Sequence, residues 1–229
     1  MPILALVLAL SQAPATPPPA PEAPQRTTPA GPVVALDVAQ AGQRLGTITM
    51  VLLPDEAPLS VANFLGYLRL GHYDGTIFHR VELDFVIQGG GLTPEMEEKP
   101  TRAPIRNEAQ NELRNSRGAL AMARTSAPNS ATAQFFINLR NNHGLDFGIR
   151  GAGYAVFGRV IDGMEVVDLI ASTPTTRRGE HENTPARSVI IERAYEVKAE
   201  EAEPPTASPE AETGETEPPA APPEAETDT

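Results

Sequence analysis

An arginine inside a run of strand-like residues is the first feature of this sequence that could do chemistry. Arg80 lies within TIFHRVELDFVIQGG (Thr76–Gly90), between two short apolar segments. An unpaired guanidinium is unfavourable in an apolar setting. Arg80 is therefore either an exposed charge at a strand edge or a hydrogen-bond donor placed to act on a ligand.

Amide side chains alternate with apolar residues in two further strand-like segments. Alternation along FVIQ puts Gln88 on the face of Val86, and along AQFFIN it puts Gln134, Phe136 and Asn138 on one face. An aromatic ring beside amides suits a groove for a peptide, because apolar contacts hold a side chain while amides bind backbone. The alternative, ordinary polar residues on the outside of a sheet, is left equally open by this pattern.

The sequence lacks the motifs of other common catalytic sites. It has no Cys, no G-x-S-x-G and no H-E-x-x-H, and its histidines lack metal-ligand spacing: His72, His79, His143 and His181. Gly89–Gly91 is not followed by the Gly-Lys-Ser or Gly-Lys-Thr of a phosphate loop, so it indicates a turn or a close approach of a ligand backbone. We expect neither a metal nor a cofactor.

Composition divides the chain into a folded middle and two polar ends. The first 32 residues contain nine prolines, and residues 199–229 contain seven prolines and ten Asp or Glu with no Lys or Arg. Of the net charge of −12, that tail carries −10, so the middle is nearly neutral. We expect a Pro-rich linker over 14–32, one domain over 33–198 and a disordered acidic tail over 199–229. The absence of a basic cluster argues against a nucleic-acid partner.

The apolar run ILALVLAL (Ile3–Leu10) is too short to span a bilayer and resembles the middle of a secretory signal. Small residues follow it, so we expect a signal peptide over residues 1–13 and export to the periplasm or the extracellular space. Stable membrane insertion is not expected. The alternative is a disordered apolar end on a cytoplasmic protein.

Short strand-like segments dominate the middle of the chain. The expected strands are Val33–Val38, Gly46–Leu53, Thr76–Val81, Asp84–Gln88, Gly118–Arg124, Ala133–Leu139, Tyr154–Val160 and Ser188–Val197. One amphipathic helix is expected between Pro58 and Gly71, and a second over Gly163–Ala171 with Asp162 as its N-cap. Without strand-helix-strand alternation, this order predicts a mainly β fold in which an antiparallel sheet closes or nearly closes and helices cover its ends.

Four blocks of the sequence resemble, in the right order, those of a cyclophilin-type peptidyl-prolyl isomerase. They are PLSVANFLGYLRLGHYDGT, FHRVELDFVIQGGG, MARTSAPNSATAQFFIN and LDFGIRGAGYAVFGRVIDGMEVVD. The resemblance covers essentially the whole middle segment and is nearest to bacterial members, including exported ones. It implies an eight-stranded antiparallel barrel capped by two helices, proline-containing polypeptides as partners, no cofactor and a monomer.

The resemblance also assigns roles to individual residues by their motif positions. Arg80 matches the catalytic arginine of the family. The implied substrate-binding residues are Phe85, Val86, Gln88, Ala123, Arg124, Gln134, Phe136, Leu145 and Tyr154.

Several positions depart from the family pattern. Glu82-Leu83-Asp84 stands where members often have Ile-Pro-Gly, and Val86 where they often have Met. Gly144 occupies the position that is tryptophan in cyclosporin-sensitive members, which predicts weak cyclosporin binding. These departures leave open a non-catalytic module that binds Pro-rich or unfolded chains. A third hypothesis is that the Pro-rich ends occupy the domain's own groove.

Overall fold

The β-rich pattern folds as ten strands in the computed structural model, which describes residues 31–197. The strands are β1 (Val33–Gln40), β2 (Gln43–Leu52), β3 (Phe78–Glu82), β4 (Val86–Gly89), β5 (Ala119–Met122), β6 (Phe135–Asn138), β7 (Val156–Asp162), β8 (Thr175–Arg178), β9 (His181–Pro185) and β10 (Val189–Glu196). The helices are α1 (Pro58–Arg69) and α2 (Met164–Ala171), and a 3₁₀ helix spans His143–Leu145. The predicted signal peptide, nearly all of the linker and the acidic tail lie outside the described residues.

Eight of the strands form one antiparallel sheet that is nearly closed into a barrel. Their order is β10-β1-β2-β7-β5-β6-β4-β3. The two edge strands meet at a bridge between Ile77 and Ile190, where the Ile191 N–H donates to the Thr76 carbonyl at 2.8 Å and the Gly75 N–H donates to the Ile191 carbonyl at 2.8 Å. The predicted eight-stranded, mainly β fold with two helices is confirmed.

Both helices turn their apolar faces to the interior of the barrel. In α1 the apolar face of Val61, Phe64, Leu65 and Leu68 is buried, and the Phe64 ring lies 5.4 Å from that of Phe157. In α2 the buried residues include Val166, Val167 and Ile170. Burial of these side chains removes apolar surface from water and fixes the helices on the core. Within residues 31–197, neither helix is long and apolar enough to cross a membrane.

One local prediction was wrong, and one hairpin was missed. Asp162 does not cap α2, because it is still the last residue of β7, and the N-cap is Gly163 with φ of 82° and no side-chain capping bond. A Cβ at that position would lie 2.1 Å from the Thr47 carbonyl oxygen, so the site requires glycine. The hairpin of β8 and β9 was missed because its polar, charged sequence lacks the alternation typical of a half-buried strand.

Candidate functional site

A pocket of about 120 Å³ opens on the outer face of the barrel, and nine of the ten residues predicted for the site line it. They come from β3, β4, β6, the 3₁₀ helix and the chain segments that flank β4, β5 and β7: Arg80, Phe85, Val86, Gln88, Ala123, Arg124, Phe136, Leu145 and Tyr154. The tenth, Gln134, is hydrogen-bonded to Gln88 at 2.9 Å. The fold thus brings all ten side chains together. A wider depression of about 890 Å³ between loops 109–114 and 143–149 contains none of them.

The floor of the pocket is a small second core outside the barrel. Val86 and Phe136 are 2% and 4% exposed, and they pack with Ala121, Ala123 and Val156 rather than with the barrel interior. Strand alternation explains the separation, since neighbouring residues on β4 and β6 point into the barrel. Alternation along β6 thus places Phe135 and Ile137 in the main core and Phe136 in the floor of the pocket.

A row of polar side chains forms one edge of this apolar floor. Arg80 and Gln88 are direct partners in the register of β3 and β4. Arg80 Nη1 donates to Gln88 Oε1 at 3.2 Å, and Gln88 Nε2 donates to Gln134 Oε1 at 2.9 Å. The row places one positive charge and several hydrogen-bonding atoms beside the apolar floor of the pocket.

Glu82 holds the same guanidinium from a second side. Its Oε1 accepts hydrogen bonds from Arg80 Nε at 2.8 Å and from Arg80 Nη2 at 2.6 Å. The Arg80 guanidinium carbon also lies 5.7 Å from the centre of the Phe85 ring. In the sequence, Glu82 stands out only as a departure from a family pattern. The spacing of two residues along a strand, with opposite charges on one face, was the signal for this pair.

The opposite wall is built from stacked side chains. The Arg124 guanidinium carbon lies 4.3 Å from the centre of the Tyr154 ring, and Arg124 Nε donates to the Gly153 carbonyl at 2.9 Å. The Tyr154 ring meets Phe136 edge-on at 5.6 Å. The backbone N–H of Tyr154 donates to the Leu145 carbonyl at 3.0 Å. These contacts hold the wall at a set distance from the floor.

Buried asparagines anchor the segments that cover the pocket, and sequence reasoning missed this role. Asn142 Nδ2 donates to the Phe85 carbonyl at 2.8 Å and to Asn138 Oδ1 at 2.9 Å. Asn138 is fully buried, and its Nδ2 donates to the Ala119 carbonyl at 3.1 Å. The sequence pattern leaves open whether the Asn138 amide faces a peptide backbone. In the structure it does not, because the side chain is used inside the protein.

Asp146 fixes the 3₁₀ helix that carries Leu145. Its Oδ1 accepts hydrogen bonds from the backbone N–H and from Nδ2 of Asn115, at 2.7 and 3.0 Å, and its Oδ2 lies 3.1 Å from His143 Nδ1. Burial disfavours the charged carboxylate, but the Asn115 and His143 contacts outweigh it and lower the pKa of Asp146. The carboxylate acts as an anchor. Among residues 31–197 no three His, Cys, Asp or Glu side chains converge as a metal site would require.

Comparison with known proteins points to one family. The family model described as "Cyclophilin type peptidyl-prolyl cis-trans isomerase/CLD" matches residues 35–196. A peptidyl-prolyl cis-trans isomerase of Streptomyces antibioticus is 55% identical over 152 residues, which cover 65% of this chain and 92% of that protein. Peptidyl-prolyl cis-trans isomerase B of Escherichia coli is 54% identical over 150 residues, which cover 64% of this chain and 92% of that protein.

A solved structure shares the architecture. The crystal structure of a cyclophilin-type peptidyl-prolyl cis-trans isomerase from Cryptosporidium parvum, determined in the presence of the dipeptide Ala-Pro, matches with a TM-score of 0.59 and 26% sequence identity. The match covers 72% of this chain and 99% of that one. The match at low identity shows that the barrel is kept while much of the sequence differs.

Proposed function

Because the chain belongs to the cyclophilin-type peptidyl-prolyl cis-trans isomerases, we propose that the pocket beside Arg80 is its active site. Members of this family catalyse rotation about the bond between a residue and a following proline. We propose here which side chains of this protein catalyse that rotation. The observation that carries the proposal is the Arg80 guanidinium, which hydrogen bonds hold at the edge of a small pocket with an apolar floor.

Prolyl isomerisation neither forms nor breaks a covalent bond. Resonance keeps the X-Pro amide planar with a barrier of about 18–20 kcal/mol, so uncatalysed rotation takes roughly tens to hundreds of seconds. In the twisted transition state the resonance is lost and the proline nitrogen carries a localised lone pair. Catalysis needs only tighter binding of the twisted amide than of the planar one.

Arg80 is suited to bind the twisted amide more tightly than the planar one. A guanidinium stays protonated at neutral pH and presents N–H donors in a rigid plane. A donor directed at the proline nitrogen gains a hydrogen bond in the twisted state and little in the planar state, where the lone pair is delocalised. Fixed donors that meet charge developing in the transition state are the main source of such stabilisation.

The apolar floor and the stacked wall would hold the ring. Val86 and Phe136 are nearly fully buried in the floor, while Phe85 and Leu145 are half-buried at the rim, where they can contact a proline. Gln88 accepts one hydrogen bond from Arg80 and so restrains it, and Gln134 lies next along the polar row. We assign the remaining pocket residues, Ala123, Arg124 and Tyr154, to the peptide on either side of the proline.

The decisive experiment replaces Arg80 and measures turnover of a short Pro-peptide. We expect Arg80→Ala to lower kcat/KM by about 10²–10³-fold, in the range typical for loss of one donor to a transition state. Arg80→Lys is the matched control, since it keeps the charge but loses the planar fork, and it should recover only part of the activity. Circular dichroism should show an unchanged fold in both variants. Wild-type turnover in Arg80→Ala would overturn the assigned role.

A binding module without turnover is the competing hypothesis, and the family assignment does not favour it. The two differ in their effect on a protein whose refolding is limited by proline isomerisation. The isomerase should accelerate the slow refolding phase at substoichiometric concentration, whereas a binding module would slow refolding. Acceleration that disappears in Arg80→Ala would place the effect in the pocket.

We also propose that the protein is an exported, monomeric member of the bacterial group. The support is the apolar run Ile3–Leu10 with small residues after it, and the bacterial origin of relatives at 55% and 54% identity. Fractionation of cells that express the full chain, with mass spectrometry of its N-terminus, tests this. An uncleaved chain in the cytoplasm would support the alternative location.

Comparison of the full chain with residues 31–197 in the peptide assay would show whether the ends occupy the groove.

A further inference from the structure

Glu82 and Arg80 lie on the same face of β3, two residues apart, at the rim of the pocket. A single carboxylate oxygen, Glu82 Oε1, accepts both the Nε hydrogen bond at 2.8 Å and the Nη2 hydrogen bond at 2.6 Å. The two side chains are partly exposed, at 39% for Arg80 and 30% for Glu82. Within residues 31–197 the Glu82 carboxylate makes no other hydrogen bond, so its contacts are devoted to this arginine.

The geometry of a guanidinium makes this pairing selective. Its five N–H groups lie in one plane, and Nε with the adjacent hydrogen of Nη2 forms one edge. Glu82 occupies that edge, and Gln88 Oε1 takes one hydrogen of Nη1 at 3.2 Å. Two N–H groups remain, one on Nη1 and one on Nη2. These are the donors that can reach a peptide.

We propose that Glu82 is a positioning residue, which turns the Arg80 guanidinium so that the free Nη1 and Nη2 donors face the pocket. This inference rests on the proposed catalytic role of Arg80. An arginine side chain that is partly exposed can adopt many rotamers, and the cost of ordering it would otherwise fall on the reaction. Glu82 and Gln88 restrain the plane from two different sides, so neither alone defines its orientation.

The first test measures kcat and KM for three variants. Glu82→Ala should lower kcat by about threefold to tenfold with KM within about twofold, because oriented donors act on the transition state more than on the ground state. Glu82→Gln keeps an acceptor oxygen without the charge, and it should recover at least half of the lost kcat. Glu192→Ala is the matched control, because it removes an equally negative but exposed side chain on β10. An unchanged or raised kcat in Glu82→Ala overturns the proposal, as does a Glu82→Gln variant no better than Glu82→Ala.

A double-mutant cycle tests whether Glu82 acts through Arg80. In an Arg80→Ala background, the change Glu82→Ala should leave the residual kcat within about twofold. An equal loss in both backgrounds would mean that Glu82 works in another way, and it would overturn the proposal.

A spectroscopic measurement separates this proposal from the assignment of Arg80 as catalytic. In ¹⁵N spectra of arginine side chains, the Arg80 Nε–H should exchange with water at least fivefold more slowly in the wild type than in Glu82→Ala. Equal exchange rates would overturn the positioning role whatever the activities are. If Arg80→Ala retains wild-type turnover, the catalytic role itself fails, and the exchange rates still report whether the Glu82 pairing exists in solution.

Discussion

Arg80 and Gln88 face each other across β3 and β4, and Arg80 Nη1 donates to Gln88 Oε1 at 3.2 Å. Gln134 sets the orientation of that amide, since Gln88 Nε2 donates to Gln134 Oε1 at 2.9 Å and leaves the Gln88 oxygen for the arginine. The three side chains form a chain of hydrogen bonds that starts on β3 and ends just before β6. The sequence separation of Gln88 and Gln134 is 46 residues.

Replacement of Gln88, the middle side chain of this hydrogen-bonded row, should lower kcat more than replacement of Gln134 at its end. We expect Gln88→Leu to lower kcat about tenfold, because a hydrogen bond to a charged group contributes about 1.5–3 kcal/mol. Gln134→Leu should lower kcat about threefold, since Gln88 keeps its contact with Arg80 but loses the partner that fixes its amide. Steady-state kinetics on one Pro-peptide measures both. A larger loss in Gln134→Leu than in Gln88→Leu would contradict this order.

The buried amide of Asn142 should matter for both stability and substrate binding. Asn142→Ala removes one of the two donors to the Phe85 carbonyl, which keeps its hydrogen bond from the Leu139 N–H, and leaves the buried Asn138 Oδ1 without its donor, at a cost of about 1–3 kcal/mol. We expect a lower free energy of unfolding in urea and a raised KM, because the segment at Phe85 is held by fewer hydrogen bonds. Asn141→Ala, which changes an exposed neighbour, serves as the control. Equal effects of the two substitutions would argue against this role.

Weak binding of cyclosporin remains a prediction from Gly144. An open depression of about 460 Å³ lies at Gly144, with Leu145 and Arg150 on its wall. A Cβ at Gly144 would lie 3.4 Å from the Arg150 side chain, so an aromatic group fits if that side chain moves. We expect Gly144→Trp to bind cyclosporin at least tenfold more tightly than the wild type, by competition with isomerisation. Nanomolar inhibition of the wild type would refute the prediction.

His79 makes the fold sensitive to acid. The pKa of His79 is lowered to about 4 in the folded state. Burial is the main cause, and the His181 ring, 5.8 Å away, is the second. Its Nδ1 has no hydrogen-bond partner within residues 31–197. The pKa in the unfolded chain is about 6.5, so the unfolded state binds the proton first as the pH falls. Stability is therefore unaffected by His79 above about pH 6.5 and declines between about pH 6.5 and 4, by about 3 kcal/mol in total.

Urea unfolding of the wild type and of His79→Phe at several pH values measures this effect. Phe cannot bind a proton, so the free energy of unfolding of the variant should fall less steeply between about pH 6.5 and 4. Carboxylates contribute equally to both proteins, and the difference between the two slopes isolates His79. Identical slopes would show that this histidine does not carry the acid sensitivity.

Local periodicity was sufficient to predict the buried residues wherever only one face of a helix or strand is buried. Alternation along β6 separates Phe136 from the barrel interior, and helical spacing in α1 selects Phe64 and Leu68 for the core. These assignments need only the residue types and their spacing, because burial of one face imposes a period of two on strands and of 3.6 on helices. The hairpin of β8 and β9 escaped detection for the same reason, since its polar side chains show no such contrast.

By itself, the sequence determined the fold class, the family and the residues that line the pocket. Short motifs and the periodic spacing of apolar residues are local properties of the sequence, so they can be read without the structure. Only the tertiary structure decided the use of each polar group. It assigned Asn138 to internal hydrogen bonds and Glu82 to the guanidinium of Arg80, and it closed the barrel at Ile77 and Ile190. The physical reason is that a hydrogen bond depends on distance and direction between two side chains. The folding of distant segments onto one another sets these quantities, and spacing along one segment does not encode them.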